Sequence, residues 1–163
     1  MTTHYYCTPD WLKEARDVYQ SNPEAKQKLK KLSADMAYRV KAEPAWGIDK
    51  DIYFCAFFQA GELNKLELMP REEAENAEFL LAATPQTWKS VLTKNSKFIT
   101  DFMLGKIKLE KGSKVGVLSV APHANSILGA LTPMKLVFPD ELSPQDLEQY
   151  RTNMEGFRKE LNV

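Results

Sequence analysis

The sequence predicts an α/β fold of the α+β type, a sheet covered by helices, and three observations predict it. Period-two alternation marks strands between residues 34 and 83 and again near 107–110, helical stripes of period 3.6 flank them, and proline-led caps punctuate the helix starts. Thr8-Pro9, Asn22-Pro23, Thr84-Pro85 and Ser143-Pro144 each place a cap oxygen before a proline. The proline loses no useful N–H at the first helical position and presets φ, while the cap oxygen satisfies one otherwise orphaned donor.

After Thr8 the apolar set Trp11, Leu12, Ala15, Val18 and Tyr19 follows the helical period, and a shorter, Lys-rich helix after Asn22 runs to about Leu32. From Ala34 to Ala42, Met36, Tyr38 and Val40 alternate with Arg39 and Lys41, as in a half-buried strand. Asp51 to Gln59 is apolar on both faces and aromatic, which suits a central strand, and Gly61 turns the chain. Leu63–Met69 and Glu78–Ala83 supply two further strands around the charged run PREEAENA, which reads as exposed. Short connections favour antiparallel pairing.

Trp88, Val91 and Leu92 form the apolar face of the helix after Thr84. In KFITDFMLGKIKLEKG, Lys97 to Gly112, the residues Phe98, Ile99, Phe102 and Met103 make another helical stripe, and Gly105 stands where a helix stops in the left-handed conformation that glycine tolerates best. Ile107 and Leu109 then alternate with lysines as an inward strand face. Ser113 to about Leu131 reads as two short helices meeting near Pro122, and Met134–Phe138 as a short extended segment. The last helix opens at Ser143 and places Leu147, Tyr150, Met154, Phe157 and Leu161 along one face.

The 163 residues, 44% of them hydrophobic, suit one domain with a full core. Twenty-two basic residues balance twenty-two acidic ones, so no long-range field gathers nucleic acid, and none is expected as a partner. Two cysteines, Cys7 and Cys55, are too few for a disulfide scaffold. The N-terminus lacks the pattern of a signal peptide, which makes a cytoplasmic location the expectation. Val115–Met134 carries no formal charge, but Pro122, His123, Asn125, Ser119 and Ser126 interrupt it, so it reads as helix within the fold rather than a bilayer span.

Polar residues do not advertise chemistry. His4 and Cys7 are too few for a zinc centre, no Gly-rich phosphate loop occurs, and His123 has no nucleophile or acid motif beside it. Asp101 interrupts an apolar helix, and its angular position, about 60° from Phe98, predicts the rim of the stripe. No metal, cofactor or catalytic residue is expected.

The order of elements, and above all FLLAAT, TWKSVL, FITDFMLGK and IKLEKG, resembles the sterol carrier protein 2 family, the sterol-transfer or lipid-binding domain. The resemblance spans residues 34 to about 131 and leaves a helical N-terminal extension, residues 1–33, and a C-terminal segment and helix, residues 132–163, outside the minimal domain. It implies a five-stranded, mostly antiparallel sheet with helices on one face and a hydrophobic tunnel between them. The lining would fall on Trp88, Val91, Leu92, Phe98, Phe102, Met103 and Leu109, with Ile127 and Leu128. The aromatic pile in DIYFCAFF could fill part of that space.

The expected function is therefore non-enzymatic binding, and transfer, of a fatty acid, acyl-CoA, sterol or isoprenoid, with room for transient membrane contact. The alternative is an interaction or homodimerisation module with a closed core, motivated by the long stripe on the last helix. An empty tunnel of about 400 Å³ would cost roughly 10 kcal/mol at about 24 cal/mol per Å³, comparable to a domain's whole stability. Any tunnel should thus be filled or partly collapsed.

Overall fold

A computed structural model describes residues 3–163. A short strand, β1 (Thr3–Tyr5), leads into α1 (Pro9–Gln20) and α2 (Pro23–Lys28), followed by β2 (Ala34–Val40), β3 (Ile52–Gln59) and β4 (Glu62–Leu68). A one-turn helix α3 (Arg71–Ala74) precedes β5 (Phe79–Ala83), then come α4 (Pro85–Leu92), α5 (Phe98–Met103) and β6 (Lys108–Lys111). The chain ends with α6 (Lys114–Val120), α7 (Ala124–Leu131), β7 (Lys135–Val137) and α8 (Pro144–Leu161). The four cap oxygens read from the sequence accept backbone N–H groups: Thr8 from Trp11, Asn22 from Ala25, Thr84 from Thr87 and Ser143 from Asp146.

The main sheet has five strands in the order β4-β3-β2-β5-β6, all neighbours antiparallel except β2 and β5. That parallel pair departs from what the short connections suggest, and its cause lies in the segment after β4. Instead of turning back beside its neighbour, the chain crosses beneath the sheet through α3 and places β5 on the far side of β2. The charged run is correspondingly not fully exposed. Its Ala74 and Ala77 are buried against Ala37, Tyr53, Cys55, Met69 and Leu80 on that lower face.

The upper face carries the main core. Met36, Tyr38 and Val40 of β2, Phe54 and Phe58 of β3, and Phe79 and Leu81 of β5 point into one cluster that also takes Trp11, Tyr19, Trp88, Ile127 and Met154. Helix α1 is sewn to this layer at both ends: the Tyr19 hydroxyl donates to the Gly61 carbonyl (2.6 Å) and Trp11 Nε1 to the Leu131 carbonyl (2.8 Å). Val18, read as part of the buried stripe, is instead exposed. In α8, Tyr150 and Met154 are buried and Leu147 and Phe157 half-buried, so most of that stripe serves the chain's own core, with Leu161 exposed.

The N-terminal segment is held rather than loose. β1 pairs in parallel with β7, the Tyr6 N–H extends the ladder to the Val137 carbonyl (3.0 Å), and the Tyr150 hydroxyl donates to the Tyr6 carbonyl (2.5 Å). His4 meets the Glu14 carboxylate, while Cys7 is buried. Val115–Met134 divides into α6, a 3₁₀ turn at Ala121–His123, and α7. Among the described residues no helix is long and apolar enough to cross a membrane.

Candidate ligand-binding cavity

Four short helices cover the upper sheet face without closing on it. Local chemistry shapes the first three. Thr84 caps α4, whose Trp88 is anchored by donating Nε1–H to the Arg39 carbonyl (3.0 Å) and packs edge-on against Tyr38, ring centroids 5.6 Å apart. Gly105, at φ +81°, lets the chain leave α5 and turn into β6. Ser113 caps α6 through the Gly116 N–H (3.0 Å), and Gly116 rests on the Phe79 ring so closely that a Cβ there would stand 2.7 Å from it.

Between these helices and the sheet lies an apolar cavity. Its floor is Met36 and Tyr38 of β2, Phe54 of β3, and Phe79 and Leu81 of β5. Trp88, Val91 and Leu92 of α4 and Phe98 of α5 form one wall. Val117 and Val120 of α6 with Ala124, Ile127, Leu128 and Leu131 of α7 form the other, and Tyr6 completes the lining. No residue of the lining is ionisable near neutral pH. The gaps among these side chains total about 670 Å³ with the solvent-open margin included, but the cavity proper is about 60 Å³.

That size answers the energetic question. At about 24 cal/mol per Å³, a void of 60 Å³ costs roughly 1.4 kcal/mol, which a domain tolerates, whereas a fully open tunnel would not be tolerated empty. On the cavity floor Phe54 packs between Tyr38 and Trp11, with ring centroids 5.0 Å and 5.7 Å away.

Of the nine lining residues expected from the sequence, Trp88, Val91, Leu92, Phe98, Ile127 and Leu128 stand on the cavity wall. Phe102 is buried behind it, stacked on Phe98 at 6.0 Å, and Leu109 packs half-buried against the main core. Neither reaches the wall. Met103 is a correction: it is 58% exposed. Helix α5 has only six residues, so its last position lies past the edge of the cover rather than over the cavity.

Asp101 is a second correction, being 3% exposed and not at a rim. Its carboxylate accepts from the Ser96 hydroxyl (2.6 Å), and its carbonyl accepts from the N–H groups of Lys106 (2.9 Å) and Ile107 (3.2 Å), so it pins the turn between α5 and β6. Neither Asp101 nor His123 is on the cavity wall, and among the described residues no three His, Cys, Asp or Glu side chains gather as a metal site would require. The floor residues carried a legible signal, the strand alternation that turns Met36 and Tyr38 inward. Tyr6 carried none, since its place depends on a pairing with β7.

Sheet order, helix cover and neutral cavity together define an α/β domain built around enclosed apolar space. Within that class it has the sterol carrier protein 2 fold. A crystal structure of sterol carrier protein 2 matches with a TM-score of 0.62 at 18% identity, over 77% of this chain and 94% of that one. A conserved hypothetical protein of Thermus thermophilus, described as a candidate sterol carrier protein, matches with a TM-score of 0.68 at 20% identity, over 80% and 90%. The ligand-free sterol carrier protein 2 of Yarrowia lipolytica matches with a TM-score of 0.53 at 15% identity, over 77% and 89%. No protein-family model and no curated protein matches the chain.

Proposed function

We propose that the protein binds and carries a hydrophobic small molecule, a fatty acid, acyl-CoA, sterol or isoprenoid, in the cavity between sheet and helices, without catalysing a reaction on it. The observation that carries this reading is the cavity wall itself: apolar from end to end, free of charge, and roofed by α5, α6 and α7, none longer than eight residues. Short helices are held by packing rather than by their own stability, so this roof can be displaced more cheaply than the sheet. Small-molecule sites occupy about 300–1,000 Å³, so occupation requires widening. A ligand burying about 300 Å² of apolar surface gains roughly 7–8 kcal/mol, enough to offset such a movement. The sterol carriers of the same fold support the reading.

Entry from a membrane suits the same roof. Met103, Leu104, Val115 and Leu118 are exposed large apolar side chains on α5, α6 and the turn after α5, and Lys97, Lys106, Lys108, Lys111 and Lys114 are exposed along the same stretch. Apolar side chains flanked by lysines favour transient contact with an anionic bilayer. Native mass spectrometry of the purified protein, followed by lipid extraction and a melting-temperature panel of lipids, tests the binding. A protein that carries nothing and is stabilised by no lipid in a broad panel would sink the proposal. Flotation with phosphatidylserine vesicles tests the membrane contact, and equal flotation of wild type and Leu104→Asp would count against it.

A further inference from the structure

The four helices that cover the cavity are not held alike. α4 is bonded to the sheet through Trp88 and the Arg39 carbonyl (3.0 Å), and α7 to α1 through the Leu131 carbonyl and Trp11 Nε1 (2.8 Å). The start of α6 is seated by shape: a Cβ on Gly112 would stand 2.6 Å from Phe79 Cδ1, and one on Gly116 2.7 Å from the same ring. Helix α5 has neither device. Among the described residues, every hydrogen bond made by residues 95–105 ends between Ser90 and Ile107, so none reaches a strand, α6 or α7.

What holds α5 down is apolar packing by Phe98, Ile99 and Phe102, with the Phe98 and Phe102 rings stacked at 6.0 Å and 8° to form one block. Lifting that block breaks no hydrogen bond to the sheet, and segments held by few buried contacts are the ones that open locally at least cost. The two ends of the stretch suit such a movement. Lys94, at φ +63°, and Gly105, at φ +81°, both stand in the left-handed region, and residues 95–104 lie between them. No atom lies within 4 Å of where a Cβ on Gly105 would be, so the backbone turns there without obstruction. Inside the segment the Ser96 hydroxyl braces the Asp101 carboxylate (2.6 Å), so it moves as a unit.

Resting on the reading of the cavity as a lipid site, we propose that α5 is its gate: residues 95–104 swing outward about Lys94 and Gly105, carrying Phe98 off the cavity wall, while α4, α7 and the start of α6 stay in place. Phe98 is the contribution of α5 to that wall, so its departure opens the side that α4 and α5 share. Met103 and Leu104, at the outer end of the same segment, are 58% and 68% exposed, so the helix that moves is also one that would meet a bilayer.

Hydrogen exchange of the full chain, read by mass spectrometry, is the first test. Peptides covering residues 95–107 should take up deuterium about tenfold faster than those of β2, β3, α4 and α7. Stopped-flow uptake of cis-parinaric acid is the second. Alanine at Gly105 meets no atom but disfavours the left-handed φ of the closed gate, so Gly105→Ala should speed uptake about five- to thirtyfold. Gly47→Ala, strained in the same way at φ +74° but away from the roof, should leave the rate unchanged and serves as the control. Equal acceleration in both variants means general loosening and overturns the gate. Protection at 95–107 matching that of α4 and α7, or uptake by Gly105→Ala at the wild-type rate, also overturns it, and in each case the lipid site stands. If Gly105→Ala does not fold, the exchange pattern alone decides. If neither cis-parinaric acid nor dehydroergosterol binds the wild type, the cavity reading falls and the gate with it.

Discussion

Valine in place of Ala124 adds two methyl groups at the start of α7, on the cavity wall. Two buried methyl groups are worth about 1.6 kcal/mol of transfer free energy, and filling a 60 Å³ void recovers roughly 1.4 kcal/mol by the cavity relation. The two routes agree because they describe the same missing contacts. Against this stands up to about 0.7 kcal/mol of lost helix propensity for a β-branched residue. The ligand-free Ala124→Val protein should therefore gain about 1 kcal/mol, a rise in Tm of roughly 2–4 °C for a chain of this length. Its lipid affinity should fall at the same time, since the added methyl groups occupy ligand space. Calorimetric melting, with and without a lipid that stabilises the wild type, reads both effects. A variant that melts lower and is still stabilised normally by lipid would show that the space is neither the void nor the site inferred here.

Three further outcomes follow from particular contacts. Gly112→Ala should lose about 2–4 kcal/mol in urea denaturation, because φ is +104° and the new Cβ would lie 2.6 Å from Phe79 Cδ1 and 2.8 Å from the Glu78 carbonyl oxygen. Asp101→Ala should lose about 1.5–3 kcal/mol by abandoning Ser96, while lipid affinity stays within twofold because Asp101 is off the cavity wall. Burial raises Cys55 to about 11 and Tyr19 to about 12. The folded chain thus holds these protons more tightly than the unfolded one, so stability is complete below about pH 8.5 and declines as pH climbs through the folded values. Denaturation curves from pH 7 to 11.5 should show that decline, and a flat profile would refute it. The same burial should keep Cys7 and Cys55 from reacting with Ellman's reagent at pH 8 until the protein is denatured.

What could be read from the sequence was local. Caps at Thr8, Asn22, Thr84 and Ser143 act within three residues, so their chemistry is complete in the sequence window that contains them. Alternation placed Met36 and Tyr38 on the covered face because side chains change face at every strand residue. The Gly105 stop likewise needs only its own backbone freedom. What was not legible depends on distant partners. The β2–β5 parallel pair arises from a crossing under the sheet, Met103 is displaced by the shortness of α5, and Tyr6 reaches the cavity only because β1 finds β7. The width of the cavity is a sum over side-chain volumes from seven elements and Tyr6, and no motif encodes it.

The join between β1 and β7 also sets a timetable for manufacture. Tyr6 and its hydrogen-bond partner Tyr150 are separated by 144 residues, which a ribosome adding about 5–20 residues per second takes roughly 7–29 s to make. Throughout that interval Tyr6 lacks the Tyr150 hydroxyl that its carbonyl accepts from, and its Phe138 and Val137 neighbours are made only near the end. The Tyr6 corner of the cavity is therefore the last part of its lining that synthesis allows to be fixed.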